Sequence, residues 1–293
     1  MKKLLAMAVT AAFTVSMLAG CGQSAETTDA SAQETTQETE TEAADEETAG
    51  TADAASEDTA ERTTFTVGFD AEFPPYGYMD ESGEYTGFDL ELAQEVCDRN
   101  GWELVKQPID WDSKDMELSS GAIDCIWNGF TMNGREDAYT FSVPYVDNSQ
   151  VFVVAADSGI TVFDDLAGKN VGVQKDSSAL AALEGDAADL AATFGNLTQY
   201  SDYNTAFMDL EQGAIDALAI DVGVADYQIA SRGEGFVKLS ENLASEQYGI
   251  GFKLGNVELK DQVEKTLLEM ADDGTFGKIA EKYGLSDSVC LGK

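Results

Sequence analysis

The sequence predicts an α/β fold that is built twice over. Two observations carry this expectation. Short apolar runs that read as buried strands alternate with segments whose apolar side chains recur every three or four residues, a pattern that implies mostly parallel sheets. The same succession then recurs in the second half of the chain: a strand ending in a polar loop, a helix, and another such strand. With 293 residues there is room for one large or two medium domains, and 43% hydrophobic content with 14 Phe, 10 Tyr and 3 Trp supplies a core.

Composition excludes several functions. A formal charge of −38 would repel phosphates and argues against nucleic-acid binding. There is no histidine, which removes His-based acid/base chemistry, the Ser-His-Asp arrangement and His metal sites. The four cysteines show no Cys-x-x-Cys spacing, so no metal centre and no cofactor are expected. Cys97 and Cys125 read as small core residues; a disulfide among Cys97, Cys125 and Cys290 is left open.

Residues 1–20 read as a signal peptide, with Lys2-Lys3 before an apolar stretch from Leu4 to Leu18. Leu18-Ala19-Gly20-Cys21 resembles the bacterial lipobox, which implies a lipid-modified Cys21 carrying acyl chains such as palmitate. Residues 21–63 follow as an acidic tether without an aromatic residue, unable to bury enough apolar area to offset its ordering entropy. No later segment is apolar enough to cross a bilayer.

The folded part opens with a strand at Phe65–Phe69. Pro74-Pro75 forbid helix after it and predict an exposed loop, with Asp70, Phe73 and Tyr76 as site candidates at the strand end. A helix from about Leu90 to Asn100 is predicted, capped by Asp89 and stopped by Gly101. A strand at Glu103–Gln107 leads to Trp111, a short helix covers Asp115–Ser120, and Ala122–Asn128 reads as a buried strand. After it come Gly129, Thr131 and Arg135, which look like half of a carboxylate clamp. Glycine lets a ligand approach the backbone, and arginine donates two parallel hydrogen bonds to a carboxylate.

Gln150–Val154 is a long apolar run able to cross from one lobe to another. The second unit follows, with a strand at Asn170–Gln174 and a helix opened near Ser177-Ser178, where outward N–H groups favour an anion. Then come a helix at Tyr203–Gly213, a strand ending at Asp221, a helix at Val222–Ser231, and strands at Phe236–Leu239 and Gln247–Phe252. Two helices, Asn256–Gly274 and Thr275–Gly284, complete the chain.

From about Phe65 to Tyr283 the chain resembles the bacterial extracellular solute-binding proteins of family 3, the receptors of polar amino-acid ABC importers. The resemblance rests on Val67–Tyr76, Tyr85–Asp89, Gly129-Phe130-Thr131 with Arg135, Leu166–Lys169 with Val171–Gln174, Gly213–Ala217, Tyr248–Ile250, and Asp273–Thr275 before Tyr283. It implies a two-lobed periplasmic-binding-protein-like (type II) fold with two crossover hinge strands. Lobe 1 would span 64–149 plus 250–293 and lobe 2 would span 154–246, with ligand held between them by hinge closure.

The resemblance also implies site roles. Arg135, with Thr131 and Ser178, would hold an α-carboxylate. Asp221, with the Gly129 carbonyl, would accept from an α-ammonium. Phe73 and Trp111 would enclose the ligand's side chain, and Asp70 and Gln174 would select it. Gln174 stands where some glutamine binders have lysine, so glutamine is not assumed, and two readings of Asp70, Asp110, Asp112 and Asp176 stay open: partners for a cationic side chain, or rim charges that contribute little. The implied protein is a monomeric, non-enzymatic receptor for a polar amino acid, delivering it to ABC permease and ATPase subunits. It would be extracytoplasmic and lipid-anchored, on a cell surface of Gram-positive type. The alternatives are a sensing module for a signalling partner, or a His-free lyase or dehydratase on the same fold.

Overall fold

The computed structural model describes residues 62–292; the signal segment, Cys21 and nearly all of the tether lie outside the described residues. β1 (Thr64–Phe69) buries Phe65, Val67 and Phe69 completely. The chain then makes a small antiparallel sheet of β2 (Glu72–Phe73), β3 (Gly77–Met79) and β4 (Tyr85–Thr86). The diproline loop between β2 and β3 is buried rather than exposed. Its aromatics account for this: Tyr76 stacks edge-on against Tyr248 at 5.3 Å and Phe73 lies 5.9 Å from Tyr203, so burying two large rings outweighs the loop's preference for water.

α1 (Phe88–Asn100) buries Phe88, Leu92, Ala93, Val96 and Cys97 and ends at Gly101, whose φ of 72° is the left-handed conformation glycine adopts without strain. Its start differs from the expectation. Gly87 occupies the cap position, and Asp89 sits inside the first turn with its carboxyl turned inward. β5 (Glu103–Pro108) pairs parallel with β1. A 3₁₀ turn at Trp111–Ser113 and α2 (Lys114–Ser120) lead to β6 (Cys125–Ile126), parallel on the other side of β1. β6 is shorter than the predicted run because the chain leaves the sheet at Asn128 to form the site loop, although Ile123 and Trp127 remain buried. β7 (Tyr139–Phe141) closes this sheet's edge.

β8 (Val146–Ala155) carries the chain into a second sheet. There follow β9 (Asn170–Gln174), α3 (Ser178–Glu184), α4 (Ala188–Ala191), β10 (Asn196–Tyr200), α5 (Tyr203–Glu211), β11 (Ala217–Asp221), α6 (Val222–Arg232) and β12 (Phe236–Lys238). β10 was not predicted. It is an edge strand whose only fully buried side chain is Tyr200, so it lacks an apolar run to read. β13 (Ala244–Tyr248) pairs with the first half of β8. The chain then returns to the first sheet as β14 (Gly251–Lys253) and finishes in α7 (Val257–Asp272) and α8 (Thr275–Lys282).

The strand orders are β5-β1-β6-β14-β7 and β10-β9-β11-β8-β12, with β13 on β8. Both sheets are mixed rather than mostly parallel. β8 and β14 each enter at the end where β11 and β6 terminate, so they must run antiparallel to them: Asp221 faces Gln150 and Ile126 faces Gly251. The predicted strand Gln247–Phe252 is therefore two strands, parted at Gly249-Ile250 where the backbone passes between sheets. This architecture is the two-lobed α/β fold expected from the sequence.

Candidate functional site

Four strand ends converge where the sheets face each other: Asp70 after β1, Asn128–Thr131 after β6, Gln174 at the end of β9 and Asp221 at the end of β11. Ligands of open α/β sheets bind beyond such carboxyl ends. Phe73, Trp111, Gly129, Thr131, Arg135, Gln174, Ser178 and Asp221, together with Ser177, line one gap of about 10 Å³, which is room for a single water at most. The structure thus brings together eight of the nine side chains singled out from sequence. The ninth, Asp70, stands just behind, donated to by Gln174 Nε2 at 2.7 Å, and lines an adjoining open depression of about 420 Å³ that also meets Trp111.

Each side chain is placed by its element. Gly129 has φ 57°, and a Cβ there would lie 2.9 Å from both the Phe73 and Tyr248 rings, so only glycine lets the loop pass between them. Its N–H donates at 2.6 Å to the buried Asp89 carboxylate, which also accepts from the Tyr145 hydroxyl at 2.9 Å. Burial pushes Asp89 up to about 7 despite those donors. Arg135 donates to the Thr131 carbonyl at 3.1 Å and the Asp176 carbonyl at 3.4 Å, with its guanidinium carbon 5.0 Å from the centre of the Phe130 ring. No ion pair among the described residues includes Arg135, so its charge faces the gap uncompensated by a protein carboxylate.

At the opposite pole, Asp221 accepts from Asn148 Nδ2 at 2.8 Å, Gln150 Nε2 at 2.6 Å and the Tyr248 hydroxyl at 2.6 Å. Burial, and then the negative charge of Glu246, push it up to about 7. Thr131 Oγ1 donates to Ser178 Oγ at 3.2 Å and to Glu246 Oε1 at 2.9 Å. Ser178 opens α3 after Ser177, whose hydroxyl caps the helix by accepting from the Leu180 N–H at 3.1 Å. Trp111 meets Phe130 edge-on at 5.7 Å and carries Lys114 over its face at 5.1 Å.

Several polar ties join residues of the two sheets around this gap: Gln174 to Asp70, Lys114 to Asp176, Asn204 to Glu72, and Lys175 to Asp112 at 3.4 Å. The exposed Lys175–Asp112 pair contributes little. Sequence reasoning missed Glu246, Asn148 and Gln150. The available signal was alternation: Asn148 with Gln150, and Glu246 with Tyr248, are two apart on paired strands and so share a face. No cluster of metal-ligating side chains occurs among the described residues.

The fold and this cleft define a class: a two-lobed α/β protein whose polar groups meet between sheets linked by crossing strands, as in periplasmic amino-acid-binding proteins. The chain belongs to the bacterial extracellular solute-binding proteins, family 3, whose family model matches residues 65–286. It is 30% identical over 226 residues to the L-cystine-binding protein TcyJ of Escherichia coli K12, covering 76% of this chain and 83% of that one. Among solved structures, an ABC uptake transporter substrate-binding protein from Streptococcus pneumoniae with bound histidine superposes with a TM-score of 0.74 at 34% identity, over 77% of this chain and 94% of that one. An ancestral arginine-binding protein bound to arginine gives 0.70 at 35% identity, over 76% and 99%. The comparisons support a substrate-binding role in amino-acid transport.

Proposed function

We propose that this protein binds the zwitterion of a polar L-amino acid between its lobes and presents it to an ABC permease. Arg135, with Thr131 and Ser178, takes the α-carboxylate. Asp221 and the Gly129 carbonyl take the α-ammonium, Phe73 and Trp111 enclose the side chain, and Asp70 and Gln174 contact its polar end. Lobe 1 comprises 64–149 with 250–293 and lobe 2 comprises 154–246. The single observation that carries this reading is the cleft's opposed charges. The Arg135 guanidinium, without a protein carboxylate, and the Asp221 carboxylate, without a protein cation, line one gap.

Only a closed cleft pairs both ends of a zwitterion, so ligand favours closure. Lipid attachment through Cys21 on a tether would keep the receptor beside its permease as a monomeric lipoprotein of the cell surface, and no step of this role is catalytic. A thermal-shift and calorimetric panel of L-arginine, L-histidine, L-glutamine and L-cystine tests the reading. Binding of one of them without its consumption supports it; consumption of the bound amino acid favours an enzyme, and no binding across the common amino acids overturns it.

A further inference from the structure

The ammonium end of the cleft holds a second acid that the zwitterion reading does not require. Glu246, on β13, is 7% exposed, and its Oε1 accepts from the same two amide groups as Asp221 Oδ1: Asn148 Nδ2 at 2.7 Å and Gln150 Nε2 at 2.8 Å. Thr131 Oγ1 at 2.9 Å and Ser178 Oγ at 3.2 Å also donate to it. Two buried carboxylates one amide apart repel strongly, and neutral donors do not cancel two charges. Among the described residues no lysine or arginine is paired with either acid; the side-chain hydrogen bonds of Arg135 go to carbonyl oxygens. The amide acceptors on the far side, Asn148 Oδ1 and Gln150 Oε1, are buried without a partner, so either amide gains a bond by turning its oxygen toward a protonated acid.

Resting on the amino-acid reading above, we infer that Glu246 is the second acid of the ammonium pocket and that one proton shared by Asp221 and Glu246 leaves to solvent when the ligand's ammonium enters. Uptake of one zwitterion is then coupled to release of one proton. The ammonium's charge balances the pair in the proton's place, and no bond other than the O–H is broken. Because Glu246 and its amide partners sit on β13 and β8, the two strands that link the lobes, the exchange occurs at the hinge itself.

The other titratable groups around the pair are accounted for. Tyr203, Tyr248 and Tyr76 are pushed well above the usual phenol range by burial and stay protonated donors. Arg135 is the cation lining the gap, beyond Thr131. Asp226 bears on Tyr76, and Asp89, behind Gly129, bears on Tyr76 and Tyr145. Asp70, raised by burial to about 6, titrates in the same window and must be separated from the pair.

The test is calorimetry with whichever of L-arginine, L-histidine, L-glutamine or L-cystine binds, in buffers of different ionisation enthalpy, on the wild type, Asp70→Asn and Glu246→Gln. Release of about one proton at pH 6, vanishing near pH 8.5, is expected, with affinity increasing by up to about tenfold for each unit that the pH is raised toward 7. Whatever the affinity of Asp70→Asn, the number of protons released per bound ligand should be retained in it, whereas Glu246→Gln should release fewer, with the release confined to lower pH. Binding with no proton release at pH 6 overturns the inference and leaves the amino-acid reading standing, as does a Glu246→Gln variant that releases as many protons as the wild type. Failure of every amino acid to bind sinks both. Should Glu246→Gln not fold, the wild type decides alone: binding without proton release at pH 6 overturns the inference.

Discussion

Asp70 and Gln174 meet at 2.7 Å, one at the end of β1 and the other at the end of β9, so a single hydrogen bond ties the two sheets at the mouth of the cleft. The carboxyl also accepts the Glu72 N–H at 2.8 Å, yet burial holds it up to about 6, showing that desolvation exceeds what its two donors return. Asp70→Asn removes the charge; its oxygen can keep the Glu72 N–H while its NH2 donates to Gln174 once that amide turns its oxygen round. The substitution should raise the melting temperature at pH 8 by roughly 2–8 °C and by only about a third as much at pH 4.5. Differential scanning at the two pH values checks this; an equal shift at both would mean that the charge is not what costs stability.

Three buried acids set the pH dependence of the whole fold. Asp70 is raised to about 6, and Asp89 and Asp221 to about 7, all chiefly by burial. Between about pH 4 and 7 the native state therefore binds protons that the unfolded chain has lost, and stability falls as pH rises through that window. Urea midpoints measured at pH 5 and pH 8 without ligand should be higher at pH 5. The chain's charge of −38 adds self-repulsion of the same sign. A midpoint higher at pH 8 would contradict these assignments.

Arg135→Ala should weaken binding of the cognate amino acid by about 2–5 kcal/mol, at least about a 30-fold increase in Kd, as expected when one member of a buried charge contact is removed. Arg135→Lys should recover only part of the loss, because an ammonium cannot make the two parallel bonds of a guanidinium. Titration calorimetry measures both. An unchanged Kd for Arg135→Ala rules out the carboxylate clamp.

Asp89 does not line the gap itself, but it holds the N–H of Gly129, which does, from behind at 2.6 Å. Asp89→Ala strips the partner from that buried N–H and from the Tyr145 hydroxyl, which should cost about 1–3 kcal/mol for each group left unsatisfied. Asp89→Asn retains one acceptor and should cost less. Urea denaturation followed through Trp fluorescence distinguishes the two variants.

Gly129→Ala attacks the same loop from the front. The added methyl meets Phe73 and Tyr248 at 2.9 Å in a backbone conformation that suits only glycine, so it should lower amino-acid affinity more than Asp89→Asn does. Comparing the Kd values of the two variants checks the order.

The sequence by itself determined the α/β class, the division into two similar halves and most elements, because apolar periodicity records which face each segment buries. Asn170–Gln174 was predicted to the residue, and Gly101 ends α1 as expected. It also singled out polar residues at strand ends, since a strand read in sequence shows where its carboxyl end falls. Only the tertiary structure decided what those ends face. The diproline loop is buried by rings from α5 and β13, Asp89 serves a backbone N–H forty residues away rather than a helix start, and β10 exists through pairing rather than pattern. Glu246 is the sharpest case. It lies in a short polar strand and joins Asp221 only because β13 and β8 pair beside the end of β11. Local pattern carries burial, which each residue expresses alone, whereas the meeting of two acids depends on long-range strand pairing and is expressed by neither.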